Sequence, residues 1–150
     1  MKTGGLEMIA LGSDHGGYEL KQEIKKYLDE TGIQYKDFGC NSTESCDYPE
    51  YAKAVAQSVS KGECEKGILI CGTGIGISIA ANKVKGIRAA VCTDCFTAEA
   101  TRLHNDANIL ALGGRVVGAG LAIKITDTFL NTEFSGDERH KRRISQIESV

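Results

Sequence analysis

Short apolar runs alternate along the chain with longer stretches in which apolar residues recur three and four positions apart. The short runs predict β-strands, and the longer stretches predict helices with one apolar face. The predicted strands cover residues 8–13, 33–38, 67–71, 87–92 and 109–112. The second of them alternates apolar and polar residues, which is typical of a strand near a sheet edge. The predicted helices cover residues 18–30, 50–60, 75–84, 96–103 and 118–130.

The regular alternation of strand and helix predicts the fold class. Parallel strands joined by helical crossovers form a sheet with helices on both faces. We therefore expect a three-layer, Rossmann-like α/β domain with a five-stranded parallel sheet. The chain of 150 residues fits one domain, since domains commonly contain about 100–200 residues.

Both ends of the chain lie outside this alternation. Residues 1–7 are expected to be an extension ahead of the first strand, so that the single domain covers residues 8–150. Residues 136–150 are polar and basic, with Ile144 and Ile147 three positions apart. This segment predicts an extra C-terminal helix, exposed on one side, that packs on another surface.

Composition and charge argue against several classes of function. Lysine and arginine number 18 against 20 acidic residues, a net charge of −2, which gives no overall attraction to nucleic acid or to an acidic membrane. No apolar stretch approaches the roughly 20 residues of a membrane span, and the N-terminus lacks the apolar region of a signal peptide. A cytosolic location is expected, with the six cysteines reduced.

The most informative segment is the glycine turn, residues 71–76, which reads CGTGIG and follows the third predicted strand. Ligands of parallel sheets collect at the carboxyl ends of strands, and a glycine turn lets backbone N–H groups approach an anion. Cys71 would lie in the positive potential of these amides, which favours the thiolate. The alternative is a buried cysteine that only fills space, and the glycines around Cys71 favour the chemical role.

Other polar residues are expected to meet this turn at the same edge of the sheet. Asp14 and His15 follow the first predicted strand, and strand-end groups converge in a doubly wound sheet. His104 instead precedes the fifth strand, which places it at the opposite edge within one subunit. It is therefore predicted to serve the site of a neighbouring subunit, a role that suits imidazoles because they titrate near neutral pH. The alternative is a histidine that lies at the surface or caps the helix.

The basic run at residues 139–143, RHKRR, predicts an anion site. Arg139 and Arg143 are four positions apart and share a helix face, where like charges repel unless an anion lies between them. A phosphate suits two guanidinium groups. The alternative is a solvated charge run. A nucleic-acid patch is not favoured, because no aromatic residue interleaves the run.

Two further patterns suggest other functions. Cys92 and Cys95 have C-x-x-C spacing, but a structural zinc site needs a second close pair of ligands, and a redox pair normally opens a helix in a thioredoxin pattern. The glycine turn resembles a dinucleotide-binding fingerprint whose third glycine comes one position early and on the third strand. Asp94, after the next strand, stands about where a ribose-binding acid would lie. We favour neither of these interpretations.

Seven motifs resemble, in order, the family of type B ribose-5-phosphate isomerases, which also contains the galactose-6-phosphate isomerase subunits. The resemblance covers nearly the whole chain, from about residue 8 to residue 143. The motifs are GSDHGG at 12–17, DYPEYA at 47–52, CGTGIG at 71–76, NK at 82–83, GIRAA at 86–90, RLHNDAN at 102–108 and RHKRR at 139–143.

The resemblance implies a homodimer that interconverts ribose 5-phosphate and ribulose 5-phosphate without metal or cofactor, at sites built from both subunits. By this resemblance Cys71 is the base that moves a proton between C1 and C2. His104 opens the furanose ring, and Asp14 assists ring opening and relays protons between the sugar oxygens. Such a base needs oxyanion donors nearby, because removing a proton beside a carbonyl builds negative charge on oxygen.

The resemblance also implies the residues that bind the phosphorylated pentose. The site for the enediolate oxygen consists of Thr73 with the amides of Gly72, Gly74, Ile75 and Gly76. Contacts to the sugar ring and hydroxyls come from Tyr48 and Asn105. The phosphate clamp consists of His15, Arg115, Arg139 and Arg143.

Several alternatives stay open at this stage. A six-carbon phosphosugar, allose 6-phosphate or galactose 6-phosphate, would be isomerised by the same chemistry. A noncatalytic module that binds a phosphosugar or a nucleotide would need the arginines but not the acid, thiol and imidazole. The sequence also leaves open whether dimers pair into tetramers.

Overall fold

Residues 8–150 are described by a computed structural model, and the expected extension, residues 1–7, lies outside the described residues. The strands are β1 Met8–Ser13, β2 Gln34–Asp37, β3 Lys66–Cys71, β4 Ala89–Val91 and β5 Ile109–Gly113. The helices are α1 Tyr18–Thr31, α2 Tyr48–Ser60, α3 Ile75–Ala81, α4 Cys95–Asn105, α5 Ala119–Asn131 and α6 Glu138–Glu148. Each predicted strand and helix has its counterpart, and the predicted α/β class is confirmed.

The five strands form one parallel sheet in the order β2-β1-β3-β5-β4. β2 lies at an edge, as its alternating sequence predicts. From β1 the chain passes to β2 on one side and later to β3 on the other, so β1 and β3 enclose a switch point of the kind where such sheets bind ligands. We call the loops after β1, β3 and β5, residues 14–17, 72–76 and 114–116, the carboxyl edge.

β3 shows how the core is divided between the two faces of the sheet. Ile68 and Ile70 belong to a buried cluster with apolar residues of α1, α4 and α5, whereas Leu69 belongs to a second cluster with residues of α2 and α3. Side chains of a strand alternate between faces, and a strand covered on both faces is apolar throughout. This double cover holds the end of β3, and with it Cys71, in a rigid part of the fold.

β4 is shorter than the predicted strand, because side chains form hydrogen bonds with the backbone where the strand begins. The side chain of Asn82 accepts the N–H of Ala89 at 2.7 Å and donates to its carbonyl oxygen at 3.0 Å. The N–H of Arg88 donates to the side-chain oxygen of Asn108 at 2.8 Å. Asn82 also follows the last residue of α3 directly, and that helix ends three residues earlier than predicted.

The C-terminal helix α6 forms within the predicted segment and packs through one buried residue. Its N-cap is Asp137, whose carboxylate accepts the N–H of Arg139 at 3.1 Å. Of the two isoleucines of this helix, Ile144 is half-buried and Ile147 is exposed. The buried residue of this helix is His140.

Membrane-spanning helices, clustered metal ligands and disulfides are absent from residues 8–150. No helix in this part of the chain is both long and apolar enough to cross a membrane. The same residues contain no group of three or more histidine, cysteine, aspartate or glutamate side chains placed to hold a metal ion. All six cysteines are free thiols, Cys92 and Cys95 among them.

Candidate active site

The carboxyl edge is built by backbone segments that touch one another at glycines. A Cβ on Gly17 would lie 2.3 Å from the carbonyl oxygen of Ile70, and one on Gly114 would lie 2.7 Å from that of Gly16. The N–H of Gly114 donates to the carbonyl oxygen of Cys71 at 2.8 Å. The loops after β1, β3 and β5 therefore form one surface that depends on the absence of side chains at these glycines.

Cys71 ends β3 and is 5% exposed. Its sulfur accepts a hydrogen bond from the backbone N–H of Gly74 at 3.1 Å. Gly74 has φ +79°, and a Cβ at this position would lie 2.9 Å from the carbonyl carbon of Leu112. The turn thus requires glycine, and its conformation directs a backbone amide to the sulfur.

Some backbone N–H groups of the glycine turn form hydrogen bonds within the described residues, and others do not. The N–H of Ile75 donates to Oγ1 of Thr73 at 3.2 Å, and that of Gly74 is bonded to sulfur. The N–H groups of Gly72, Thr73 and Gly76 donate to no group within residues 8–150. Amides held in place beside a nucleophile are the usual donors to a developing oxyanion, so these three are the candidates for the enediolate oxygen.

Asp14 follows β1 and is buried. Its Oδ1 accepts hydrogen bonds from the N–H groups of Gly16 at 2.9 Å and Gly17 at 3.2 Å. Its own N–H donates to the carbonyl oxygen of Ile70 at 3.2 Å, next to Cys71 in the chain. Oδ2 accepts no hydrogen bond from the described part of the chain, so this oxygen is the one available to a substrate hydroxyl.

His15 is held by a backbone group from the loop before α2. Nδ1 of His15 lies 3.2 Å from the backbone nitrogen of Cys46, whose N–H donates to it. This contact occupies Nδ1, so Nε2 is the ring nitrogen of His15 that is left to contact a ligand.

Tyr48 and Arg115 complete the group at this edge. A Cβ on Gly76 would lie 2.6 Å from the ring of Tyr48, so the half-exposed phenol lies directly on the turn. The N–H of Arg115 donates to the carbonyl oxygen of Gly72 at 3.0 Å, and its guanidinium lies beside that residue. Of the three arginines predicted to bind the phosphate, Arg115 is the one at this edge.

A second group of predicted site residues lies at the other edge of the sheet. α4 leads from the carboxyl end of β4 to the amino end of β5, so its last turn places His104 and Asn105 at the amino edge. The imidazole of His104 stacks on that of His140 in α6, with ring centroids 4.6 Å apart and an interplanar angle of 20°. Arg139 and Arg143 belong to this same helix. Within one chain the predicted site residues are therefore divided between opposite edges.

A family model described as Ribose/Galactose Isomerase matches residues 9–147. The chain belongs to this family. It is 50% identical over 145 residues to the Escherichia coli protein named ribose-5-phosphate isomerase B, with 97% of each chain covered. It is 56% identical over 140 residues to a Bacillus subtilis protein named as a putative sugar phosphate isomerase, with 93% of each covered. The solved structure of Clostridium thermocellum ribose-5-phosphate isomerase B matches with a TM-score of 0.93 at 57% identity, covering 95% of each chain.

Two residues that contact predicted site residues, Cys46 and His140, have no role predicted from the sequence. Cys46 acts on His15 through its backbone N–H, which no side-chain pattern can indicate. His140 contacts His104 across two helices that are distant in sequence. The sequence gives no signal for this contact, because His140 lies inside a run of charged residues.

Proposed function

We propose that this protein is a ribose-5-phosphate isomerase, which interconverts ribose 5-phosphate and ribulose 5-phosphate through an enediolate. The observation that supports this most directly is the sulfur of Cys71, bonded to the N–H of Gly74 at 3.1 Å beside the free amides of the same turn. A nucleophile and oxyanion donors in one turn suit proton transfer next to a carbonyl. Relatives named ribose-5-phosphate isomerase B across almost the whole chain support the same substrate.

The isomerisation step uses groups of the carboxyl edge. In the open-chain aldose, the thiolate of Cys71 takes the proton from C2, the electron pair forms the C1=C2 bond, and O1 becomes negative. The amides of Gly72, Thr73 and Gly76 stabilise this oxygen, a contribution of several kcal/mol for preorganised donors. The thiol then returns the proton to C1, and Oδ2 of Asp14 carries the O2 proton to O1 as the C2 carbonyl forms.

Binding of the phosphate fixes the sugar for this transfer. Arg115 and Nε2 of His15 are the groups available at the carboxyl edge, and Tyr48 covers one side of the turn. Arg139 and Arg143 belong to the opposite edge of their own chain. We infer that they act on the site of a second chain, where they complete the clamp. Binding energy from a remote phosphate then orients the reacting carbons.

The division of the predicted site residues between two edges supports a homodimer with shared sites. The step that opens the furanose ring needs His104, which in its own chain lies at the edge remote from Cys71. The surface of the chain offers exposed apolar residues for a second copy, since Ile75 and Ile79 of α3 are 55% and 56% exposed and Phe96 is 80% exposed. Such residues favour a protein interface. Pairing of dimers into tetramers and a cytosolic location stay predictions.

An isomerase assay with three substrates tests the proposal. The purified protein is incubated in the presence of EDTA with ribose 5-phosphate, allose 6-phosphate or galactose 6-phosphate, and ketose formation is followed. We expect the highest kcat/KM on ribose 5-phosphate, with no loss of rate in EDTA. A higher value on a hexose phosphate would overturn the choice of substrate, and inhibition by EDTA would overturn the metal-free mechanism.

The variants Cys71→Ala and Cys64→Ala separate an enzyme from a binding module. Both cysteines are buried, but Cys64 lies before β3 at the other end of the strand. We expect Cys71→Ala to abolish turnover while ribose 5-phosphate still binds in calorimetry, and Cys64→Ala to keep turnover. Turnover that survives in Cys71→Ala would contradict the role of the base, and binding without turnover in the wild type would favour a noncatalytic module.

A further inference from the structure

His140 occupies an unusual position for a histidine. It is 7% exposed and is the buried residue of α6, whose other side chains are exposed apart from half-buried Ile144. The contact position of an amphipathic surface helix is normally apolar. An aliphatic residue would anchor α6 without the cost of burying ring nitrogens, so the imidazole calls for a second explanation.

The explanation lies in the ring that His140 covers. His104 is exposed, and one face of its imidazole stacks on His140 at a centroid distance of 4.6 Å and an angle of 20°. Backbone contacts fix the segment that leads into α6, because the N–H of Ser135 donates to the carbonyl oxygen of Leu103 at 3.3 Å and Nε of Arg102 donates to that of Thr132 at 2.9 Å. The stack therefore restricts the orientation of His104 while leaving its other face accessible.

Burial and the charges around His140 disfavour the protonated form of its ring. The groups that face it are His104 from α4 and Asp137, Arg139 and Arg143 from its own helix. Burial lowers the pKa of His140, and the positive charges of His104, Arg139 and Arg143 lower it further, against a smaller opposing effect of Asp137. Two stacked imidazolium rings would also repel each other.

We propose that His140 is a positioning residue for His104, holding that imidazole by stacking in the orientation that opens the furanose ring. This inference rests on the proposed function and on the ring-opening role of His104. In ring opening the C1–O4 bond breaks, O4 takes a proton from His104, and O1 gives its proton to Oδ2 of Asp14 as the C1 carbonyl forms. The proton donor must point at O4, and the stack restricts where it points.

Three variants test the proposal: His140→Ala, His140→Phe and, as a control on the exposed face of α6, Gln146→Ala. With ribose 5-phosphate we expect His140→Ala to lower kcat by about tenfold, a modest part of what general acid catalysis supplies, with KM nearly unchanged. His140→Phe keeps a stacking ring and is expected to retain most of the turnover. Gln146→Ala is expected to match the wild type.

A second readout separates positioning from a merely structural role. Ribulose 5-phosphate is acyclic, so exchange of its C1 hydrogen with deuterium oxide needs the isomerisation step and no ring opening. We expect His140→Ala to exchange at close to the wild-type rate. Equal losses of exchange and of turnover, with no rescue by His140→Phe, would mean that His140 only anchors α6, and unchanged turnover in His140→Ala would also overturn the proposal.

Nuclear magnetic resonance of the two imidazoles needs no substrate and therefore decides independently of the proposed function. We expect the ring hydrogens of His104 to show a ring-current shift from the stacked imidazole of His140 and to lose that shift in His140→Ala. Resonances of His104 that do not change in His140→Ala would overturn the proposal. A wild type that does not isomerise ribose 5-phosphate would instead refute the proposed function, while the ring-current shift would still show whether the two rings stack.

Discussion

The backbone nitrogen of Gly74 lies 3.1 Å from the sulfur of Cys71 and donates its hydrogen to it. Two backbone features produce this contact. The end of a doubly covered strand fixes Cys71, and the left-handed conformation of Gly74, with φ +79°, turns the amide back toward the strand. The proposed base is thus held by secondary structure, which is the most rigid support a fold offers.

Replacing Gly74 with alanine is expected to lower both stability and activity. A left-handed conformation costs a residue with a Cβ about 1–2 kcal/mol. The new Cβ would also lie 2.9 Å from the carbonyl carbon of Leu112, and overpacking of this kind adds about 1–3 kcal/mol. The turn must shift to relieve the contact, which moves the amide away from Cys71. Urea unfolding measures the first effect and kcat the second.

Gly86→Ala is the matched control for this prediction. Gly86 also has a left-handed conformation, with φ +86°, but no atom lies within 4 Å of the position of its Cβ. It is expected to lose about 1 kcal/mol of stability from the conformation alone and to keep its kcat. Equal activity losses in the two variants would show that the sulfur contact has no part in catalysis.

Gly17→Ala is expected to disrupt the carboxyl edge as a whole. Its Cβ would lie 2.3 Å from the backbone oxygen of Ile70, which cannot rotate away as a side chain could. Because β1 and β3 must separate locally, we expect a loss of at least about 3 kcal/mol in the free energy of unfolding. Gly120→Ala in α5 serves as the control, since its Cβ would meet nothing within 4 Å, and a gain of up to about 1 kcal/mol is expected there.

The periodicity of apolar residues could predict the sheet and its helices because both faces of the sheet are covered. β3 is apolar from Ile68 to Ile70 for this reason. The periodicity could not predict the bounds of β4, because the side chains of Asn82 and Asn108 form hydrogen bonds with the backbone there. A pattern of apolar residues does not indicate such bonds. The anchor of α6 was also beyond prediction, since His140 is buried at a polar position of the sequence.

The candidate site was predictable where residues adjoin strand ends. Asp14 and Cys71 follow or end neighbouring parallel strands, so their convergence follows from topology. The position of His104 before β5 correctly predicted that it lies at the other edge of its own chain. The donor of the hydrogen bond to His15 was not predictable, because it is the backbone of Cys46 in a loop without periodicity.

A buried charge pair next to the site gives a prediction about stability. The side chain of Lys21 is fully buried, and its Nζ donates to Oδ1 of Asp37 at 2.8 Å and to the carbonyl oxygen of Cys40. Asp37→Asn leaves this lysine without its counter-charge, which typically costs about 3–5 kcal/mol. Lys25 also bonds to Asp37, at 3.1 Å, but is partly exposed, so Lys25→Met is expected to cost at most about 1 kcal/mol. Similar losses in the two variants would contradict this assignment.

The same pair predicts how stability depends on acid. Burial raises the pKa of Asp37, but hydrogen bonds from Lys21, the N–H of Gly39 and Lys25 outweigh it, so the pKa is lowered in the folded chain. The unfolded chain therefore binds this proton more readily. The contribution of Asp37 is complete above the unfolded value, about pH 4, and is lost as the pH falls through the lowered folded value. As the pH falls below 5, the free energy of unfolding measured in urea is expected to decrease less in Asp37→Asn than in the wild type.

Mixing two inactive variants tests whether sites are shared between chains. Cys71→Ala removes the proposed base, and His104→Asn removes the proposed acid of the opposite edge. If each site combines the carboxyl edge of one chain with His104 of another, a mixed dimer has one site with both defects and one intact site. Random pairing makes about half of the dimers mixed, so about a quarter of the wild-type activity is expected after the two variants are unfolded and refolded together.

Cys71→Ala mixed with Asp14→Asn is the control, because both residues lie at the same carboxyl edge. Every site in that mixture contains one of the two defects, so no activity is expected to return. If His104 acted on the site of its own chain, the mixture of Cys71→Ala with His104→Asn would also stay inactive, since each chain would carry one damaged site. Restoration in the first mixture and not in the second is therefore the result that only a site divided between two chains can give.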